Sequence, residues 1–237
     1  MNTTSYNYNS NLSFDEKIKI ALQFNNLSQQ TKNVLTRVYA TFAVGLLFAV
    51  AGVMFSMFIY RPWDILFLGI IYPAYKFHTE RNMETKYKYF LLLASLIGMA
   101  TGPLINFYYQ ENPAIILSAF MMTTGVFTCF SLFSLLSDKR MFIYMGGSLF
   151  SFSLFILFGS IFNIFARNEA VYNMLMAGIL LMECGYLIFD TQLIVFRIEK
   201  GDYDFFKHAL VLLLDFVDLF RVILKILGSK KKKNSSK

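Results

Sequence analysis

Six stretches of this chain are apolar enough to lie in a bilayer, and nothing else in the sequence limits the fold so much. They run over 38–60, 63–75, 89–109, 114–136, 141–165 and 171–196, with a weaker seventh over 208–226. A spanning helix needs about 20 mostly apolar residues, because lipid offers no partner to an open backbone. The second stretch is only about 20 Å long as a helix. It must be extended through Phe77, tilted into its neighbours, or met by a thinned bilayer. Composition agrees with lipid as solvent: 56% of residues are hydrophobic, 16% are charged, and 27 are Phe. A soluble domain has a quarter of its residues charged.

The connections set an orientation. Lys76, Arg81, Lys86 and Lys88 lie between stretches two and three. Lys139 and Arg140 follow stretch four, and Arg197, Lys200 and Lys207 follow stretch six. The alternate loops hold Arg61, no Lys or Arg, and Arg167, while Lys17, Lys19, Lys32 and Arg37 precede the first stretch. Lys and Arg collect on the cytoplasmic side, so the N-terminus and the three basic loops are expected there. The tail "KKKKNSSK" then favours a last segment that re-enters and leaves the C-terminus cytosolic.

The net charge of +7 is spread over ends and loops, which does not suit nucleic acid; membrane lipid is the expected surface partner. Cys129 and Cys184 lie in apolar runs with no disulfide framework, and His78 and His208 are too far apart to imply zinc. No cofactor is expected. The first 33 residues are polar and lack the pattern of a removable signal peptide. The sequons at Asn2, Asn11, Asn26 and Asn234 would be chance matches on cytosolic ends. Three regions result: a polar segment 1–33, a membrane domain 34–227 and a lysine-rich tail 228–237. Gly98 and Gly102 form a GxxxG, and Gly45 and Ala49 a related small pair, expected to let helices approach closely.

Charge inside the apolar runs is the chemical signal. Asp190 lies in stretch six, and Asp215, Asp218 and Arg221 lie in the last segment. An Asp at the centre of a spanning helix costs about 2.5–3.5 kcal/mol, so a helix carrying two should be sheltered by the others. The spacing of three allows a local Asp218–Arg221 ion pair, which leaves Asp215 seeking a partner. Asp190 is the natural candidate. Two carboxylates in a low dielectric share one proton, or bind a divalent cation in its place. Calcium suits oxygen ligands but takes six to eight of them, so a two-Asp metal site would be weak, as permeation requires. Alternatively, each Asp hydrogen-bonds to nearby Thr, Gln or backbone. Glu183, two turns before Asp190, is either a second acidic station or a solvated surface group.

The motifs "TKNVLTRVYATFAVG" (31–45), "GPLINF" (102–107), "NPAIILSAFMMTTGVFTCFSL" (112–132), "YMGGSLFS" (144–151), "FDTQLI" (189–194), "GDYDFFKHAL" (201–210) and "LLLDFVDLFR" (212–221) resemble the Bax inhibitor family. The likeness is strongest to its founding endoplasmic-reticulum member. It implies an all-α membrane protein, a bundle of six transmembrane helices around a central, semi-hydrophobic seventh. It also implies a pH-sensitive calcium leak that lowers organelle calcium and suppresses apoptosis, with Asp190 and Asp215 as the calcium and proton sensor pair. Bacterial relatives carry an arginine latch near the end of the second helix; here His78 or Arg81 falls in that region. Two departures stand out: the first two stretches look shorter than in the founding member, and Glu183 replaces an expected apolar residue.

Other classes compete. An intramembrane aspartyl protease typically carries GxGD, which "LIFD" and "LLLD" lack, so no enzyme is expected. A retinal protein needs a mid-helix lysine, whereas Lys225 lies near the end of its segment. A non-conducting membrane partner of cell-death regulators is poorly separated from a channel by sequence.

Overall fold

The computed structural model describes residues 27–58, 63–137 and 141–235. Expectations resting on Lys17, Lys19, Arg61, Lys139, Arg140 and the first three sequons lie outside them. Seven α-helices follow in order among the described residues: α1 Gln29–Phe58, α2 Trp63–Thr79, α3 Met83–Glu111, α4 Pro113–Leu136, α5 Gly146–Ala166, α6 Glu169–Glu199 and α7 Phe205–Ser235. A 3-10 turn, Met141–Met145, leads into α5. Five of them (α1, α3, α4, α6, and α5 with the turn before it) are long and apolar enough to cross a bilayer. The chain is a multi-pass membrane protein, all-helical over the described residues.

Local chemistry explains the boundaries. Asn82 accepts a hydrogen bond from Glu84 N to start α3, and Asn168 accepts from Ala170 N and Val171 N to start α6. Asn112 accepts from Ala114 N, with Pro113 in the first turn, so α3 and α4 are joined by one residue. Each Asn satisfies backbone donors that a helix start leaves unpaired. Arg167 adopts φ 48° to end α5, next to the Asn168 cap.

The helices differ in length from the apolar stretches. α1 begins at Gln29, nine residues before its apolar run, because Thr31 and Leu35 are buried along with Val38. Hydropathy marks contact with lipid; the helix is set by packing on either side of that zone. α2 continues to Thr79 with Phe77 buried, so of the three remedies for its shortness extension is the one adopted.

Close helix contact depends on the small residues. A Cβ added to Gly98 would strike the Ala49 backbone, and one on Gly52 would strike the Ser95 backbone. α1 and α3 therefore touch main chain to main chain, the use of GxxxG-type spacing for packing within the chain. α7 packs against α1, α3, α4 and α6, whereas α2 rests chiefly on α3 and α5 on α6. Leu212, Leu213, Phe216, Leu219, Ile223 and Leu224 of α7 are all buried. α5 is the opposite case: Phe150, Phe155, Phe158, Phe162 and Phe165 are exposed, as suits a lipid-facing helix.

The last helix corrects one expectation. It runs unbroken from Phe205 to Ser235, about 46 Å at the helical rise, and does not turn back. At its start Asp204 pairs with Lys86 near the start of α3. Near its end an added Cβ on Gly228 would strike the Tyr108 ring, close to the end of α3. α7 therefore runs parallel to α3, from the level of Lys86 to that of Tyr108, as one helix that does not turn back. Epitope tags placed in the turn at 80–82 and after Lys237 are expected to become accessible from opposite membrane faces, as read by antibody access in selectively permeabilised cells. Gly98→Leu is expected to force α1 from α3 at a cost of about 1–3 kcal/mol, read as a lowered thermal midpoint in detergent.

Candidate functional site

The acidic site is made by the hairpin of α6 and α7. Its turn, residues 200–204, needs a left-handed residue, and Gly201 takes φ 97° there. Gly201 N bonds to Ile198 O at 3.0 Å and Asp202 N to Arg197 O at 3.0 Å, closing the end of α6. His208, fully buried, donates from Nε2 to Asp202 O at 3.1 Å and holds the turn against α7.

Because the turn is short, residues equally far from it lie at similar depth. Asp190 is about 14 Å back along α6 and Asp215 about 15 Å forward along α7. Both are half-buried, and their carboxyl groups lie within electrostatic reach of each other. Glu183 and Asp218 also lie within reach of Asp215 and of one another. The structure thus places Glu183, Asp190 and Asp218, the other acids singled out from the sequence, each within electrostatic reach of Asp215. Glu183 belongs with the cluster, at a depth far from either end of α6.

Asp215 Oδ2 is buried and has no hydrogen-bond partner in the protein. The reading in which nearby Gln or backbone satisfies this acid does not hold for that oxygen. Gln192 is occupied elsewhere: its Oε1 accepts from Phe142 N at 3.1 Å and its Nε2 donates to Ser134 O at 3.3 Å. Ser134 Oγ in turn donates to Ile188 O at 2.8 Å, so this network ties α4, α6 and the 3-10 turn together. One turn earlier on α4, Tyr39 Oη and Ser131 Oγ are 2.6 Å apart and link α1 to it.

Asp218 forms the expected local pair, its Oδ1 accepting from Arg221 Nη1 at 2.9 Å. Arg197, seven residues after Asp190, lies within electrostatic reach of that carboxyl. His78 and Arg81 sit elsewhere. Both are exposed at a polar cleft of about 560 Å³ shared with Lys86, Tyr203, Asp204 and Lys207. Among the described residues no three His, Cys, Asp or Glu side chains are grouped to hold a metal ion. Two acids with water and carbonyls would make a weak calcium site at most.

Lys86 was legible only as a loop charge. It is in fact buried, ion-paired with Asp204 and 5.3 Å from the centre of the Phe77 ring. Asp204 also lies 3.6 Å from Lys207. This pair pins the α6–α7 turn to α3 and thereby fixes the depth of Asp190 and Asp215. No residue spacing signals it, because the partners are 118 positions apart.

Helical membrane proteins with an acidic cluster at one hairpin form a broad class, and comparison narrows it. The family profile described as "Inhibitor of apoptosis-promoting Bax1" matches residues 31–232. A Bax inhibitor 1 homolog of Dictyostelium discoideum is 45% identical over 232 residues, 94% of this chain and 91% of that one. Bax inhibitor 1 of Homo sapiens is 35% identical over 228 residues, covering 92% and 96%. Bax inhibitor 1 of Arabidopsis thaliana is 30% identical over 213 residues, covering 86% and 84%. The chain belongs to the Bax inhibitor family.

Breaking the buried pair leaves a charge without its partner, which costs about 3–5 kcal/mol when no substitute is near. With Lys207 at 3.6 Å, Lys86→Met is expected to cost less, about 2–3 kcal/mol. Adding Asp204→Asn should restore part of that loss, read as denaturation midpoints of single and double variants.

Proposed function

We propose that this protein is a pH-sensitive calcium leak pathway of the endoplasmic reticulum membrane that lowers luminal calcium and suppresses apoptosis. The observation that carries this reading is the meeting of Asp190 and Asp215 from separate helices, with Asp215 Oδ2 buried and unpartnered. An acid pair of this kind exchanges a proton for a cation, and weak binding lets the ion leave again. Family membership supports the anti-apoptotic role, since the matching profile is described as an inhibitor of apoptosis-promoting Bax1.

The intended architecture is six crossing helices around α7, and the burial of α7 against α1, α3, α4 and α6 supports it. The N-terminus and basic loops face the cytosol on the charge argument. On that orientation the parallel course of α7 and α3 supports a luminal tail, against the pull of its lysines. A latch role for His78 or Arg81 would require α2 to move toward the pair.

A second reading has its own support in the same family description: a membrane partner of cell-death regulators that conducts nothing. Flux separates the two. Purified protein in liposomes loaded with a calcium dye is expected to pass calcium in a pH-dependent manner. Protons compete with calcium for the pair, so calcium occupancy should fall as pH falls. Asp190→Asn and Asp215→Asn should each flatten the pH response. Flux and pH response unchanged in both variants would remove the sensor role, and no flux above empty liposomes would favour the non-conducting partner.

A further inference from the structure

Arg221 lies 16 residues into α7, about 24 Å along the helix and level with Glu183 across the hairpin. Its guanidinium makes three hydrogen bonds. Nε and Nη2 donate to Thr101 Oγ1 of α3 at 3.1 and 2.7 Å, and Nη1 donates to Asp218 Oδ1 at 2.9 Å. Thr101 is buried and gives its own proton to Ile97 O at 3.0 Å, so its remaining lone pairs are turned to the guanidinium. An arginine with two of its donors on one buried hydroxyl from another helix is held, where a surface arginine would wander.

The charges around it define what it does. α6 presents Glu183 and Asp190, and α7 presents Asp215 and Asp218. α4 has no charged residue, and Lys32 and Arg37 of α1 lie near that helix's start. On α3, Glu84, Lys86 and Lys88 lie near the start and Glu111 at the end, with Lys86 committed to Asp204. Arg197 is near the cytosolic end of α6 beside Asp190, and Lys225 is one turn beyond Arg221. Glu183, Asp190 and Asp218 therefore each lie within electrostatic reach of Asp215, with Arg197 beside Asp190 at the turn side and Arg221 bonded to Asp218 at the far side.

We propose that Arg221 is the standing counter-ion of the acid cluster and that Thr101 is the positioning residue that keeps it there. Bonded to Asp218, the guanidinium offsets part of the negative charge that Asp218 adds beside Asp215 and Glu183. Four carboxylates facing no cation would take up protons until their mutual repulsion was relieved. Held by Thr101 on the side of the cluster away from the turn, Arg221 also opposes a cation leaving in that direction. This last consequence rests on the leak reading; the counter-ion role does not.

The test counts protonated carboxyls by infrared spectroscopy on the full chain in lipid vesicles at neutral pH, with calcium flux measured on the same preparations. Arg221→Gln is expected to add the signal of about one protonated carboxyl. Thr101→Val, which leaves the charge and removes its anchor, should shift the signal in the same direction by less, and Thr101→Ser should restore the wild-type spectrum. If Arg221→Gln fails to fold, the Thr101 pair decides. A wild-type spectrum in Thr101→Val, or equal spectra for Thr101→Val and Thr101→Ser, would overturn the assignment. If the wild type passes calcium, Arg221→Gln should raise flux severalfold at fixed pH, and an unchanged flux would remove the barrier role. If no variant passes calcium, the leak reading fails and the infrared result alone judges the counter-ion.

Discussion

A helix that carries Asp215, Asp218 and Arg221 cannot face hydrocarbon on all sides, and the architecture follows from sheltering it. Each unpaired charge at that depth costs about as much as a quarter to a half of a small domain's net stability. α7 is covered by α1, α3, α4 and α6, and its Asp218 and Arg221 are paired with each other and with Thr101 of α3. The apolar surface that would otherwise be core is displaced outward, where lipid accepts it. That is why so many Phe side chains are exposed.

The acid cluster is a consequence of register. A five-residue turn joins two antiparallel helices, so acids at matched distances from it meet at one depth. The turn in turn is pinned to α3 by Lys86 and Asp204. Two links to α3, one at the turn and one through Thr101 and Arg221, hold α7 at both ends of the cluster. The local pairing of Asp218 with Arg221 leaves Asp215 as the acid with a free, buried oxygen.

Much of this was legible before any coordinates. The seven helices, the close packing at Gly98, the Asp218–Arg221 pair and the approach of Asp190 to Asp215 all follow from the length of apolar stretches, residue spacing and the cost of buried charge. What escaped was of two kinds. Helix ends beyond the apolar zone, as at Gln29, depend on packing that hydropathy does not register. Contacts between distant positions, such as Lys86 with Asp204 or Thr101 with Arg221, leave no local pattern, because each residue alone reads as an ordinary loop lysine or a small helical residue. The continuity of α7 also left no trace in the lysine bias, which registers the side of a membrane and not whether a helix turns back.

α5 touches the remainder of the protein chiefly through α6 and the short turn before it, and only Leu149 and Ile156 of its side chains are buried. A strut so placed takes its tilt from the surrounding bilayer more than from its neighbours. α6, against which it leans, bears Asp190 and Glu183. Changes in lipid thickness or tension therefore have a mechanical route to the acids, one that bypasses the central helix altogether.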